Sequence, residues 1–187
     1  MHDFQKILNF WFHPEDHPDY GTARVEWFRK DPKFDAEIKQ NFLFLYVKAK
    51  EGQLLQWTEN RQGCLALILL FDQFSRNMFR DSPDAFQTDG KAREIARLVL
   101  SNGFFNDYKP LEKTFIVLPL EHSENMPDQK KSVELFKSFG NENEITYAER
   151  HYDVIAKFDR FPHRNEVLSR VSSEDEITFL SGPNSSF

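Results

Sequence analysis

Side chains suited to chemistry are concentrated in three short segments of the sequence. The segments are FDQFSRNMFR at residues 71–80, LPLEHSE at 118–124, and the stretch from His151 to RFPHRN at 160–165. Each lies at or near a predicted helix end or a proline, where backbone groups are available for binding. The candidate ligand-binding residues are Asp72, Gln73, Arg76, Asn77, Arg80, Glu121, His122, His151, Arg160, His163, Arg164 and Asn165.

These residue types fit two different uses. Guanidinium groups bind carboxylate or phosphate through paired hydrogen bonds, so a converging set predicts a site for a small anionic molecule or an acidic peptide end. Alternatively, the charges neutralise one another in a buried network, and Asp72 and Arg76 have the i, i+4 spacing to pair within one helix. We favour a non-catalytic binding or scaffold module, and the sequence leaves the choice between site and network open.

An enzyme is the alternative function, and histidine is the residue that suggests it. Imidazole changes charge near neutral pH. His122 or His151 is therefore a candidate general acid or base acting on a small anionic substrate, with Glu121 as a further catalytic candidate. A third hypothesis is an interaction protein whose partner lies in a groove lined by tryptophan. The residues considered for that groove are Trp11, Trp27 and Trp57.

The patterns of metal and cofactor sites are missing from the sequence. HExxH, HxH and CxxC do not occur, so we expect no metal. No glycine-rich phosphate loop occurs among the seven glycines, so we expect no cofactor.

The central element is predicted from a run of eight apolar residues, Cys64 to Phe71. A helix that is apolar all round is buried all round. Asp72, Arg76 and Arg80 follow at i, i+4 and i+8 and form one polar stripe. Polar groups placed beside a core need partners, so we expect Asp72 and Arg76 to lie close to the residues of the other two segments.

The remaining periodicity predicts an all-α fold of about eight to ten helices packed as antiparallel hairpins, in a single domain over residues 1–187. Asp31-Pro32 marks the start of a long helix, and Ser173 with Glu176 forms a capping box for the last one. Pro119 is expected to break or kink a helix that begins at Pro110. The tail, residues 181–187, is expected to be disordered.

Composition restricts the partners. The net charge of −6 and the isoelectric point near 5.5 argue against nucleic acid or an anionic membrane as a partner. No apolar run approaches the roughly 20 residues of a membrane span, and the N-terminus lacks the pattern of a signal peptide. With the single cysteine Cys64, these features predict a cytoplasmic protein. The oligomeric state stays open.

The motif set resembles the uncharacterised bacterial DUF924 family. FDQFSRN, LPLEHSE, the spacing to His151, and RFPHRN followed by SSEDE and FL carry the resemblance, which extends over nearly the whole chain. The resemblance implies an all-α fold similar to tetratricopeptide-repeat proteins, and it implies no activity. The family tends to have glycine where Asp81 and Asp159 stand, and both departures add a carboxylate beside an arginine.

Overall fold

The protein is all-α, as predicted. The computed structural model describes residues 3–27, 29–183 and 185, and no strand occurs in these ranges. The α-helices in this part of the chain are α1 Asp3–Phe12, α2 Pro32–Lys50, α3 Arg61–Ile68, α4 Ser75–Met78, α5 Asp89–Ser101, α6 Pro110–Glu121, α7 Met126–Phe139, α8 Glu142–Phe158 and α9 Glu174–Leu180. None of them combines the length and apolarity that crossing a bilayer requires.

The helices form two compact units. Unit 1 comprises Met1–Arg80 and Asp84–Pro119, and unit 2 comprises Asp81–Pro83 and Leu120–Phe187. In unit 1, α3 packs against α1 and α5, and α4 packs against α2. In unit 2, α7 and α8 pack along each other as a hairpin with a two-residue connection. The single domain and the likeness to tetratricopeptide repeats stay predictions.

Local sequence signals account for the beginnings of several helices. The Asp31 side chain accepts the backbone N–H groups of Lys33 and Phe34, and Pro32 opens α2, which satisfies donors that would otherwise have no partner. The capping box of Ser173 and Glu176 is present at α9. Both predicted starts are therefore confirmed.

Two further predictions from the sequence, a side-chain cap by Thr88 and a short helix over residues 22–30, are wrong. Thr88 precedes α5 but its hydroxyl does not cap the helix; it donates instead to the carbonyl oxygen of Phe71 at 2.7 Å. A helix predicted over residues 22–30 is a single 3₁₀ turn, Val25–Trp27, and Phe28 lies outside the described residues. The expected disorder of 181–187 falls partly outside the described ranges.

Pro119 does not break its helix, so of the two predicted outcomes, a break or a kink, the break is wrong. Helix α6 passes through the proline and ends two residues later, at Glu121. Proline removes one backbone donor, and so close to a helix end only a short stretch of helix follows the lost bond. The helix then closes with a tighter turn, in which the N–H of Ser123 donates to the carbonyl oxygen of Leu120 at 3.2 Å.

The central helix is buried as predicted, with one feature that the periodicity did not indicate. Residues 64–71 are all buried, and the thiol of Cys64 donates to the carbonyl oxygen of Thr58. Burial raises the pKa of this thiol to about 11. Between α3 and α4 the helix widens into a π-helix, Leu69–Phe74. The π segment holds Asp72 and Gln73, so the polar stripe begins inside it.

The tryptophan groove is not formed, because all three tryptophans belong to the core of unit 1. Trp11, Trp27 and Trp57 are buried. The rings of Trp11 and Trp27 stack at 5.4 Å between centroids, and Phe115 contacts both edge-on. Aromatic burial of this kind stabilises a core and leaves no ring face for a partner.

Gly63, near the start of α3, has no room for a larger side chain. A Cβ atom at Gly63 would lie 2.3 Å from the carbonyl oxygen of Trp57, a backbone atom that cannot turn aside. We expect Gly63→Ala to lower the free energy of unfolding by about 1–3 kcal/mol, measured by urea denaturation. Gly90→Ala is the matched control, because its nearest neighbour is the flexible end of Arg93 at 3.9 Å. It should be neutral or stabilising by up to about 1 kcal/mol. Equal effects of the two changes would contradict this packing.

Candidate functional site

In unit 1, the guanidinium of Arg76 joins two carboxylates. Its Nη1 lies 3.1 Å from Oδ1 of Asp72 and donates to the carbonyl oxygen of the same residue at 2.7 Å. Nη1 and Nη2 also donate to the two carboxylate oxygens of Asp89, at 3.1 and 3.2 Å. Burial alone lowers the pKa of Arg76, but the charges of Asp72 and Asp89 outweigh it, so the pKa is raised.

Asp72 is the most deeply buried charged residue of this group, at 1% exposure. Its second carboxylate oxygen, Oδ2, accepts the amide of Gln73 at 2.6 Å. The hydroxyl of Ser75 donates to the carbonyl oxygens of Phe71 and Asp72, at 2.8 and 3.0 Å. Side chains therefore supply hydrogen bonds to carbonyls of the π segment, as buried backbone groups require.

The remaining motif residues of unit 1 bind Asp35, in the first turn of α2. Arg80 donates through Nε and Nη2 to its two oxygens at 2.7 and 2.8 Å, and the amide of Asn77 donates at 2.7 Å. Burial raises the pKa of Asp35, yet these hydrogen bonds dominate and lower it. The pairing ties α4 to α2 across 45 residues of sequence.

In unit 2, Glu121 and His151 form a buried pair. Nδ1 of His151 lies 3.2 Å from Oε1 of Glu121 and 2.8 Å from the carbonyl oxygen of Tyr147. Both partners are acceptors, so the proton of the neutral ring is assigned to Nδ1. The amide of Gln129 donates to the carbonyl oxygens of Glu121 and Ser123, both at 2.6 Å, and so satisfies the end of α6.

Two histidines, His151 and His163, and Arg164 lie around the ring of Phe161, with His122 next to His151, and we call these four side chains the His–Arg cluster. The ring of His151 meets Phe161 edge-on at 5.5 Å between centroids, and the ring of His163 lies at 5.6 Å. The guanidinium carbon of Arg164 lies 4.5 Å from the same ring, and His122 lies 6.2 Å from His151. His122 and His163 are half-buried, whereas His151 and Arg164 are buried.

Two histidines of the cluster, His151 and His163, are neutral over most of the pH range. Burial, followed by the neighbouring His122, lowers the pKa of His151 to about 3. Burial, followed by the charge of Arg164, lowers the pKa of His163 to about 4. The cluster therefore places neutral imidazoles beside a guanidinium.

Two further ion pairs anchor the RFPHRN turn. Arg170 donates to both oxygens of Glu124 at 2.7 and 2.9 Å, and Glu124 also accepts the N–H of Phe161 at 2.8 Å. Burial raises the pKa of Glu124, but the hydrogen bonds from Arg170 and Phe161 outweigh it and lower the pKa.

Arg160 pairs with Glu176, donating to its two oxygens at 2.6 and 2.7 Å. The hydrogen bonds of Arg160 lower the pKa of Glu176 to about 2. Glu176 also accepts the N–H of Ser173 in the capping box, so the carboxylate holds the start of α9 and the RFPHRN turn at once.

The structure thus brings predicted residues together in three places, and Arg160 and Asn165 pair elsewhere. Asp72, Gln73 and Arg76 form one group and Asn77 and Arg80 a second. Within unit 2, the Glu121–His151 pair adjoins the His–Arg cluster, while Arg160 turns to Glu176 and the amide of Asn165 donates to the hydroxyl of Ser172 at 3.0 Å. The expected convergence of the first segment with the other two stays a prediction.

Sequence reasoning missed the long-range partners. Asp35, Asp89 and Arg170 close the pairs, and none carries a local signal, because each lies 13 to 46 residues from its partner. Within the described ranges, no three His, Cys, Asp or Glu side chains are placed so as to hold a metal ion.

Two aspartates, at positions where the family resemblance implies glycine, adopt left-handed backbone. Asp81 has φ 61° and Asp159, which ends α8, has φ 57°. Glycine adopts this region without steric penalty, and aspartate tolerates it better than most residues. Both positions therefore keep a conformation that suits glycine.

Arg76 is expected to contribute strongly to stability, because Asp72 is buried beside it. We expect Arg76→Ala to lower the free energy of unfolding by about 3–5 kcal/mol, since a buried carboxylate is left without compensation. Arg29→Ala is the control, because Arg29 is exposed and such changes stay within about 0.5 kcal/mol. A loss below about 1 kcal/mol for Arg76→Ala would contradict the network.

The histidines predict a loss of stability in mild acid. The folded state binds protons at His151 and His163 more weakly than the unfolded chain, whose histidines titrate near about 6.5. Their contribution is thus complete above about pH 6.5 and is lost as pH falls toward the folded pKa values of about 3 and about 4. For the buried His151 the loss is about 2 kcal/mol at about pH 5.

The measurement is urea denaturation between pH 7 and 4.5. His151→Gln and His163→Gln should each make the decline with falling pH shallower, because each removes one titrating group. A decline as steep as that of the unchanged protein would contradict the assignment.

Comparison with known proteins agrees with the motifs. Residues 7–184 match the family described as "Bacterial protein of unknown function (DUF924)". The solved structure of a protein of unknown function from Agrobacterium tumefaciens is 32% identical, with a TM-score of 0.86, and the match covers 95% of this chain and 96% of that one. A search of the curated proteins finds no match. The chain therefore belongs to the DUF924 family.

Proposed function

We propose that the protein is a non-catalytic helical binding module that takes a small anion, or the carboxylate end of a peptide, at the His–Arg cluster of unit 2. The observation that carries the proposal is the gathering of His151, His163 and Arg164 around the ring of Phe161. A guanidinium, and an imidazole that becomes protonated, are donors that bind carboxylate or phosphate.

The other charged groups of the motifs support this choice of place. Arg80 is held by Asp35, Arg160 by Glu176 and Arg170 by Glu124, each through two hydrogen bonds. An anion that displaced one of these carboxylates would leave a partly buried charge without its partner. These pairs therefore serve the structural network rather than a ligand.

The low pKa values favour binding over catalysis. An efficient general base has a pKa near the working pH, and that of His151 is about 3. A bound anion would raise the pKa of His163, because a nearby negative charge stabilises the imidazolium. At mildly acidic pH, binding is therefore accompanied by proton uptake.

Titration calorimetry with inorganic phosphate and succinate tests the proposal. The experiment is run in two buffers of different ionisation enthalpy at one ionic strength, alongside thermal unfolding. We expect at least one anion to raise the melting temperature and to be bound with proton uptake. At an anion concentration of 100 times Kd, the free energy of unfolding should rise by about 2.7 kcal/mol.

His163→Gln should abolish the proton uptake, and Arg164→Gln should abolish the anion-dependent shift. Arg29→Gln is the control, because it removes the same charge at an exposed position, and it should behave like the unchanged protein. A shift that is absent with both anions, or that is equal in all variants, would contradict the site.

A further inference from the structure

Helix α2 is apolar on two faces. One face is buried in unit 1 and includes Ile38, Phe42 and Leu45. On the outer side, Phe44 is 67% exposed and Val47 is 41% exposed. A helix with a second apolar face, next to a groove, marks a surface that another molecule covers.

The groove lies along this outer side of α2 and has a volume of about 520 Å³. Its apolar floor consists of Leu43, Tyr46, Val47 and Phe79, and the rings of Tyr46 and Phe79 lie 5.3 Å apart. The volume falls in the range of about 300–1,000 Å³ that is usual for binding clefts. All of its lining residues belong to unit 1.

Lys50 lines one end of the groove, and Lys39 lies beside Phe79 of its floor. The ammonium of Lys39 lies 5.6 Å from the ring of Phe79, and Lys50 donates to the side-chain oxygen of Gln87. Eleven helical residues separate the lysines by about 16 Å. Glu51 and Asp84 line the Lys50 end, so the Lys39 end is the basic one.

The charge of the helix is opposite to that of the chain. Helix α2 holds four lysines against Asp35 and Glu37, and Asp35 is neutralised by Arg80. The whole chain carries −6. An acidic partner would be repelled by the chain as a whole yet attracted to this face, which orients its approach.

We propose that this groove docks an amphipathic helical segment of another protein, with two apolar side chains one turn apart and an acidic residue against Lys39. A second copy of this chain is the other possible occupant, and the experiment below distinguishes the two. The proposal is independent of the anion site in unit 2.

The test uses defined fluorescent peptides of about four helical turns, with two leucines at i, i+4 and a glutamate either before or after them. Matched peptides carry lysine in place of glutamate, or serine in place of both leucines. Fluorescence anisotropy should show binding of one acidic leucine peptide, weakened at high salt, and at least tenfold weaker binding of the lysine and serine peptides.

Variants of the protein locate the binding. Val47→Ser should weaken it at least tenfold, and Lys39→Glu should reverse the preference toward the lysine peptide. Val171→Ser is the matched control, because Val171 is an 88% exposed valine in unit 2, and it should bind as the unchanged protein does. Circular dichroism checks that each variant is folded.

Failure of both acidic leucine peptides to bind, or binding that Val47→Ser and Lys39→Glu leave unchanged, would overturn the proposal. Sedimentation velocity tests whether a second copy of the chain occupies the groove. A dimer that is lost on Val47→Ser would assign the groove to a second copy and would also overturn it.

Discussion

The structure depends on the pairing of buried charges, because an unpaired charge would be strongly destabilising in the same place. Asp72 follows directly on an apolar run and is 1% exposed. An unpaired carboxylate in that position would cost several kcal/mol. Arg76, one helical turn away, pairs with this carboxylate, and its guanidinium also binds Asp89. The interaction thereby binds the start of α5 to the central helix.

The same constraint organises unit 2 around a different chemistry. Glu124 accepts Arg170 and the backbone of Phe161, so the RFPHRN turn is held by both its main chain and a nearby side chain. This turn contains Phe161, and His151 and His163 pack against its ring. Burial then keeps His151 and His163 neutral by lowering their pKa values. The electrostatic character of the cluster is thus a consequence of how the turn is anchored.

Local signals in the sequence were sufficient for much of the fold and for part of the site. Asp31-Pro32 and the Ser173–Glu176 box predicted helix starts because capping acts over two or three residues. The pair of Asp72 and Arg76 was predictable because it lies within one helical turn. Asp35 and Asp89 were not, since their pairs form only when distant helices pack. The π segment was not predicted either, because helical periodicity alone does not indicate a widened turn.

The central claim is that charged motif residues stabilise their own unit by pairing, and a double-mutant cycle on Glu124 and Arg170 tests it most directly. The cycle compares Glu124→Gln, Arg170→Met and the double variant by urea denaturation at neutral pH. A coupling energy of about 1–3 kcal/mol is predicted, because the pair is bidentate and partly buried. Effects that add to within about 0.3 kcal/mol would contradict the claim and would free both side chains for another role.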